Sequence, residues 1–411
     1  MDSFFLHLLR DPPLTYGQLA IHIIKKLCKT SSKRIDLIFD KCVLPSIKDI
    51  ERDRRAGLLG RNDVFSIIGE EQRQPNDFLQ ALRSDSFKAE FVKFLVKHWK
   101  TSIPPGILGN KILRVNCEDT CYMFDEIDGL VKCEIDQILY SSHHEADTRI
   151  LFHISNLPDS TNVVIRASDT DILVIAVGNV HKLRNKVDIW IETGLHSKNT
   201  LRYISINDIY TNLGDVLSKA LPAYHAFTGS DYTASFARKG KIKPFRIIEE
   251  YPNIANIFAS FEHSQEISEE QIQGIEKFVC CMYGRHNANS VDKVRLDLFL
   301  RNHGGFVSQA KNPLDKVKNF DGSLMPPCKK VLINKIKRMN QVCAIWNYAT
   351  EAHPNFFDPE RHAWRLVDGR YEVEWFIGPQ TPSTLREICE FPTPDIDEED
   401  EVFHSASSDE E

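Results

Sequence analysis

The sequence predicts an α/β protein built on a doubly wound, mostly parallel sheet flanked by helices. Three observations carry that expectation. Short apolar runs alternate with amphipathic stretches over the first 250 residues, the pattern of repeated strand and helix units. The run Asn162-Val163-Val164-Ile165-Arg166-Ala167 is nearly continuous in apolar residues, as in a strand covered on both faces. Asp40 and Asp169 each stand just past the carboxyl end of a predicted strand, where open α/β sheets place their ligands.

Taken in order, residues 15–29 carry Leu19, Ile21, Ile23, Ile24 and Leu27 on one broad face and predict a helix. Residues 35–40 read as a short buried strand that ends in an acid. Residues 46–58 are dense in charge, and Lys48 and Arg55, seven apart, share a face if the segment is helical. Residues 77–100 place Phe87, Phe91, Phe94, Leu95 and Trp99 at helical spacing, and Pro104-Pro105-Gly106 breaks that helix. Strands are predicted at 111–117 and 131–139, and a helix at 145–157 buried through Ile150, Leu151 and Ile154. After the 162–168 strand come strands at 187–192 and 203–206. A helix over 208–220 follows, with Asn207 as its cap.

Beyond residue 250 the pattern becomes mainly helical. Ser268-Glu269-Glu270-Gln271 reads as a capping box, and residues 288–302 and 326–350 as two further helices. Tyr371 to Phe376 alternates polar and aromatic residues, which suits a strand. The expected organisation is a domain over 1–250, a helical region with a small β element over 251–390, and a disordered acidic tail over 391–411.

Composition sets limits on function. The formal net charge is −7, but residues 395–411 hold nine acids and no Lys or Arg. Without them 51 basic residues face 49 acidic ones, so any phosphate-binding surface must be local. Ten cysteines at irregular spacing, including adjacent Cys280-Cys281 inside a predicted helix, read as reduced thiols. Cys117, Cys121, Cys133 and His143 offer a zinc reading, without the second tight pair that such sites use. No stretch approaches the ~18 consecutive apolar residues of a membrane span. A nuclear or cytoplasmic protein is expected.

Three acidic motifs recur in a fixed order: His144-Glu145-Ala146-Asp147, Ser168-Asp169-Thr170-Asp171 and Thr228-Gly229-Ser230-Asp231-Tyr232. Carboxylates brought to one point repel unless divalent cations sit between them. A carboxylate-lined pair of hard cations is machinery for phosphodiester hydrolysis. Singly, each motif also reads as ordinary structure, since Asp-Thr-Asp suits a helix start and Gly-Ser-Asp a turn. Jointly they favour a metal site.

The order and wording of these motifs resemble the flap endonuclease/XPG group of structure-specific nucleases, within the wider PIN-like fold, and look closest to its asteroid-like animal members. The resemblance covers residues 1 to about 250. It implies a PIN-like doubly wound sheet and two bound Mg²⁺ or Mn²⁺ ions. Asp40, Glu145 and Asp147 would mostly hold one ion, and Asp169, Asp171 and Asp231 the other. Asp40 matches a Phe-Asp-Gly acid of the family, with Lys41 in place of the glycine. Asp2 is similar to an acid that follows the family's first strand. Only Met1 lies upstream of Asp2, so the resemblance implies a chain that lacks this central strand.

The resemblance also gives Lys48 and Arg55 the role of gripping the scissile phosphate. Arg238, Lys239, Gly240, Lys241 and Lys243 fall where the family has a helical hairpin that binds duplex phosphates. Residues 56–110, with Phe65, Phe78 and Trp99, fall where it has an arch over single strands. His143 and His144 beside Glu145 offer an alternative histidine metal site, against which stands a capping or packing role. Two functions remain open: a metal-dependent nuclease acting on DNA or RNA by structure rather than sequence, and a catalytically silent scaffold on the same fold that binds nucleic acid or protein. The acidic tail reads as a docking segment for a basic protein partner.

Overall fold

Local capping chemistry sets most helix starts. The Thr15 side chain accepts a bond from Gln18 N–H at the start of α1 (Tyr16–Leu27), whose apolar side buries Leu19, Ala20, Ile23 and Ile24. Asp77 and Ser84 do the same for α2 (Phe78–Ala81) and α3 (Asp85–Ser102). The computed structural model describes residues 6, 9, 12–51, 65–167, 169–195, 198–262, 266–307, 321–376 and 378–379. The chain divides into two units, Met1–Trp375 and Phe376–Glu411, and the architecture below is that of the first.

Among the described residues the strands form three sheets. The first has the order β1 (Arg34–Leu37), β2 (Ile112–Cys117), β3 (Thr120–Ile127), β4 (Leu130–Ile135). The second has the order β5 (Thr161–Arg166), β6 (Val187–Thr193), β7 (Arg202–Ser205). β8 (Trp364–Val367) and β9 (Arg370–Val373) form a hairpin. Only β1 with β2 and β5 with β6 are parallel. The expectation of one mostly parallel sheet is thus corrected to small mixed sheets.

The reason lies in two turns. Asp128 (φ 52°) and Gly129 (φ 76°) are both left-handed, and so are Asp368 (φ 49°) and Gly369 (φ 74°). Two such residues make the tight turn whose twist matches antiparallel strands, so the chain doubles back at β3–β4 and β8–β9 instead of crossing over.

Helices form most of the core, at about 48% of the chain against 15% strand. α4 (Ala146–Ser155), α5 (Thr170–Asn179) and α6 (Ile206–Thr228) pack with β5 and β6. α6 is broken at Gly214 (φ 76°) and runs on to Thr228, well beyond the predicted 208–220. α5 and α6 approach closely at Gly178, where an added Cβ would lie 2.4 Å from Pro222 Cγ.

The later helices are α7 (Ile242–Glu250), α8 (Pro252–Ala259), α9 (Glu269–Met282), α10 (Val291–Val307) and α11 (Lys329–Asn347). Phe258, Phe278 and Trp346 share one apolar cluster with Ile165, Ile189 and Phe227. Each such fully buried side chain contributes about 1.5–3 kcal/mol. Asn179 Nδ2 also donates to Trp346 O at 3.1 Å, and Lys182 Nζ to Asn347 O at 2.8 Å. A second cluster joins α1 and α3 to β1 and β2 through Leu19, Ile23, Phe87, Phe91, Trp99 and Val115. No described helix is long and apolar enough to cross a membrane.

Candidate metal centre

Each motif acid is placed by the start of a helix or by a tight turn. Asp169 is the N-cap of α5, where its side chain accepts from Asp171 N–H at 3.0 Å. That bond turns Asp171 into the first helical turn, toward α6. The third acid follows α6. The chain leaves that helix at Gly229 (φ 127°), where an added Cβ would lie 2.9 Å from Ser235 Cα, so only glycine suits the exit. Ser230 N–H donates to Thr233 O at 3.0 Å and closes a turn that carries Asp231. One ligand atom from each of Asp169, Asp171 and Asp231 lies within 4.8 Å of the others.

This triad fits a hard cation. Two oxygens on one Mg²⁺ stand about 3.0 Å apart when adjacent and about 4.2 Å when opposite, so the triad is within a small side-chain adjustment of coordination. The three oxygens also differ in access: Asp171 is buried, Asp231 half-buried and Asp169 exposed. The three acids could therefore hold one metal ion with an open side toward solvent.

The remaining acids lie close by but are otherwise engaged. Asp40 Oδ1 accepts from Ala146 N–H at 2.8 Å and so caps α4 from a distant part of the chain. Its Oδ2 lies 3.9 Å from Lys88 Nζ. Glu145, freed from capping, pairs with Lys48 Nζ at 2.7 Å, and Lys48 also lies 4.7 Å from the Tyr232 ring centroid. Asp147 sits in the first turn of α4. Among the described residues Asp40, Glu145 and Asp147 do not join the triad or form a second group of three. Asp2 and Arg55 lie outside the described residues, as does the acidic tail.

Electrostatics separate the acids by environment. Burial pushes Glu145 above the usual carboxylate range, Asp40 and Asp171 add to this, and the Lys48 pair only partly offsets it. Burial and the Asp171 and Asp231 charges likewise raise Asp169. Burial works on Asp171 in the same direction, yet its pKa is lowered, because His225 bonds it and Lys48 and Lys241 lie near.

His225 is the residue that sequence reasoning missed. Its Nε2 lies 2.9 Å from Asp171 Oδ1, and its Nδ1 lies 2.9 Å from Lys241 Nζ. An ammonium can only donate, so Nδ1 accepts and the ring proton sits on Nε2, directed at Asp171. Lys241 is held there by the His225 and Gly229 carbonyls. A histidine in an otherwise apolar helical segment gives no sequence signal for this chain of bonds.

The basic segment is an irregular turn rather than a helical hairpin, followed by α7. Arg238 and Lys243 are exposed. Lys239 donates to Met282 O at 3.3 Å and lies 4.3 Å from the Tyr283 ring centroid, and Lys241 points inward as described. Gly240 is exposed with open space where a Cβ would stand, so nothing local requires glycine there.

The alternative ligands are used in packing. His143 meets Thr148 Oγ1 at 3.0 Å and Glu351 O at 2.8 Å, and His144 stacks on Phe356. Phe78 and Trp99 are buried, Phe65 packs on Phe87, and Cys121 is buried. The described cysteines are free thiols. Grooves of ≈ 560 and ≈ 590 Å³ are lined by other residues, and the triad reaches the surface through Asp169. Comparison of the chain with protein-family models, curated proteins and solved structures finds no match.

Proposed function

We propose that this chain is a PIN-like, divalent-cation-dependent phosphodiesterase that acts on DNA or RNA with Mg²⁺ or Mn²⁺. The observation that carries the proposal is the convergence of Asp169 and Asp171, at the start of α5, with Asp231, in the turn after α6, within 4.8 Å. An all-oxygen donor set suits a hard cation. The exposed setting suits a polymer better than an enclosed small molecule. The PIN-like reading of the fold is supported by β1 and β5, which both lead toward acids at one end of the sheets.

A bound cation polarises a phosphoryl oxygen and lowers the pKa of its bound water. The chain supplies the rest. His225, fixed by Lys241, keeps Asp171 ionised and aimed. Lys48, positioned by Glu145 and Tyr232, holds a positive charge beside the triad, where negative charge develops during phosphoryl transfer. Arg238 and Lys243 offer nonspecific contacts to backbone phosphates. A second ion at Asp40, Glu145 and Asp147 would require the Lys48–Glu145 pair to part, since among the described residues these acids form no second group of three.

The test is cleavage of labelled flap and single-stranded oligonucleotides in Mn²⁺ by the wild-type chain and by Asp171→Asn. Cleavage that is lost in the variant supports the proposal. Cation binding without cleavage by a folded chain contradicts it and leaves a second reading, a silent scaffold. The inward turn of Lys241 and the pairing of Glu145 with Lys48 favour that second reading. In it the acidic tail is the segment that would dock a basic protein.

A further inference from the structure

Two strand edges face one groove. Among the described residues β1 is paired on one side only, by β2, and β5 on one side only, by β6. Both line a groove of ≈ 590 Å³, with Ile150, His153 and Ile154 of α4 also in its wall. Among the described residues, no backbone–backbone hydrogen bond outside the two ladders engages Arg34–Leu37 or Thr161–Arg166. Rows of unpaired N–H and C=O groups are templates for another strand.

The two edges run in the same direction. β1 leads to Asp40, which bonds Ala146 N–H at the start of α4, and β5 leads to Asp169 and then Asp171, whose charge acts on the adjoining Glu145. α4 spans both strands: His153 Nδ1 meets Asp36 Oδ2 of β1 at 2.8 Å, and Ile150 and Ile154 share a cluster with Ile165 of β5. Two edges with one strand missing between them would stand about 9.6 Å apart, which matches the roughly 10–12 Å width of the one helix that covers both.

The chemistry of the groove defines its occupant. Four of its charges are matched within it, Arg34 with Asp36 at 2.7 Å and Arg166 with Glu192 at 2.6 Å, and Lys33 also lines it, so it suits a segment whose middle is uncharged. Ile38, Ile150, Ile154 and Ile165 make the wall apolar, and Val164 is left 49% exposed on β5. His153 Nε2 is buried with no hydrogen-bond partner. A strand covered on both faces carries apolar side chains on both.

We propose that this groove is a docking slot for one extended, uncharged, apolar strand of a partner polypeptide, which enters parallel to β1 and β5 and joins the two sheets into one. Main-chain bonds on both sides would supply affinity and the apolar wall specificity.

The test is hydrogen exchange of the full chain, read by mass spectrometry, with a synthetic peptide holding Val-Ile-Val-Val-Ile between lysine pairs. The proposal expects exchange of both Arg34–Leu37 and Thr161–Arg166 to slow about tenfold or more on adding the peptide. A peptide N-methylated at every valine and isoleucine should have no effect, since alternate strand N–H groups serve the two edges. Val164→Lys, at an exposed position, should abolish the protection while its melting temperature stays close to wild type. If that variant fails to fold, the N-methylated peptide still decides the matter. Protection of one strand only, of neither, or equally by the N-methylated peptide would overturn the proposal. So would edges already protected in the chain alone, or protected as its concentration rises, since the chain itself or a second copy would then fill the slot.

Discussion

At the scale of single residues, the acids are distinguished by which protein cation answers each of them. Lys48 answers Glu145 at 2.7 Å, and both side chains are largely buried. Lys48→Met leaves a buried carboxylate without its partner and should lower stability by about 1–3 kcal/mol. Added Mn²⁺ should raise the melting temperature of that variant more than that of wild type, and an equal rise in both would contradict the placement of Lys48 beside the cation site. Lys241 acts through His225. Lys241→Met frees Nδ1 and lets the ring proton leave Nε2, so Mn²⁺ affinity should fall about tenfold, as for other partners that orient a ligand. Unchanged affinity by calorimetry would remove that role.

His143 gives a pH prediction. Burial, with Arg149 nearby, lowers its pKa to about 3 from an ordinary value of 6.5. The unfolded chain takes up this proton below 6.5 and the folded chain does not, so the stability is present above 6.5 and is lost as pH falls toward 3. Glu145 and Asp169 are raised and act in the opposite sense. The variant His143→Asn isolates the histidine: relative to wild type, its stability between pH 6 and 5 should fall less steeply by about 1.4 kcal/mol per pH unit. Urea unfolding at the two pH values measures this.

At the scale of elements, close approach matters more than propensity. Gly178 lets α5 rest on Pro222 of α6, and the 2.4 Å contact that Gly178→Ala would create leaves no room for a methyl group. That substitution should cost about 1–3 kcal/mol, read as a lower urea midpoint. Most helices were legible in the sequence because their signals are local: the Ser268 to Gln271 capping box is present as read. β3 was not foreseen, although Asp128-Gly129 is a hairpin signal in plain view between apolar neighbours. Sheet order was also out of reach, because pairing joins residues as distant as Ile35 and Leu113. In the candidate site, the three motif acids were legible from their wording. Lys48 and Lys241 were singled out for phosphate contacts, whereas their pairing with Glu145 and His225, like His225 itself, depends on packing between elements and leaves no mark at fixed spacing.

At the scale of the whole molecule, the helices beyond residue 250 complete the core under the candidate site. Trp346 lies 6.0 Å from the His225 ring and 6.3 Å from that of Tyr232, so α11 backs the residues that set Asp171 and Asp231. A chain ending at residue 262 should therefore fail to fold cooperatively and should not bind Mn²⁺. A sharp unfolding transition in that fragment, with binding intact, would contradict this dependence.

The most direct measurement is calorimetry of Mn²⁺ with the full chain and with Asp169→Ala/Asp171→Ala. Saturable binding by wild type that disappears in a variant of unchanged circular dichroism is the expected result. A well-folded wild-type chain that binds no Mn²⁺, or a variant that binds as well as wild type, would contradict a cation site at Asp169, Asp171 and Asp231.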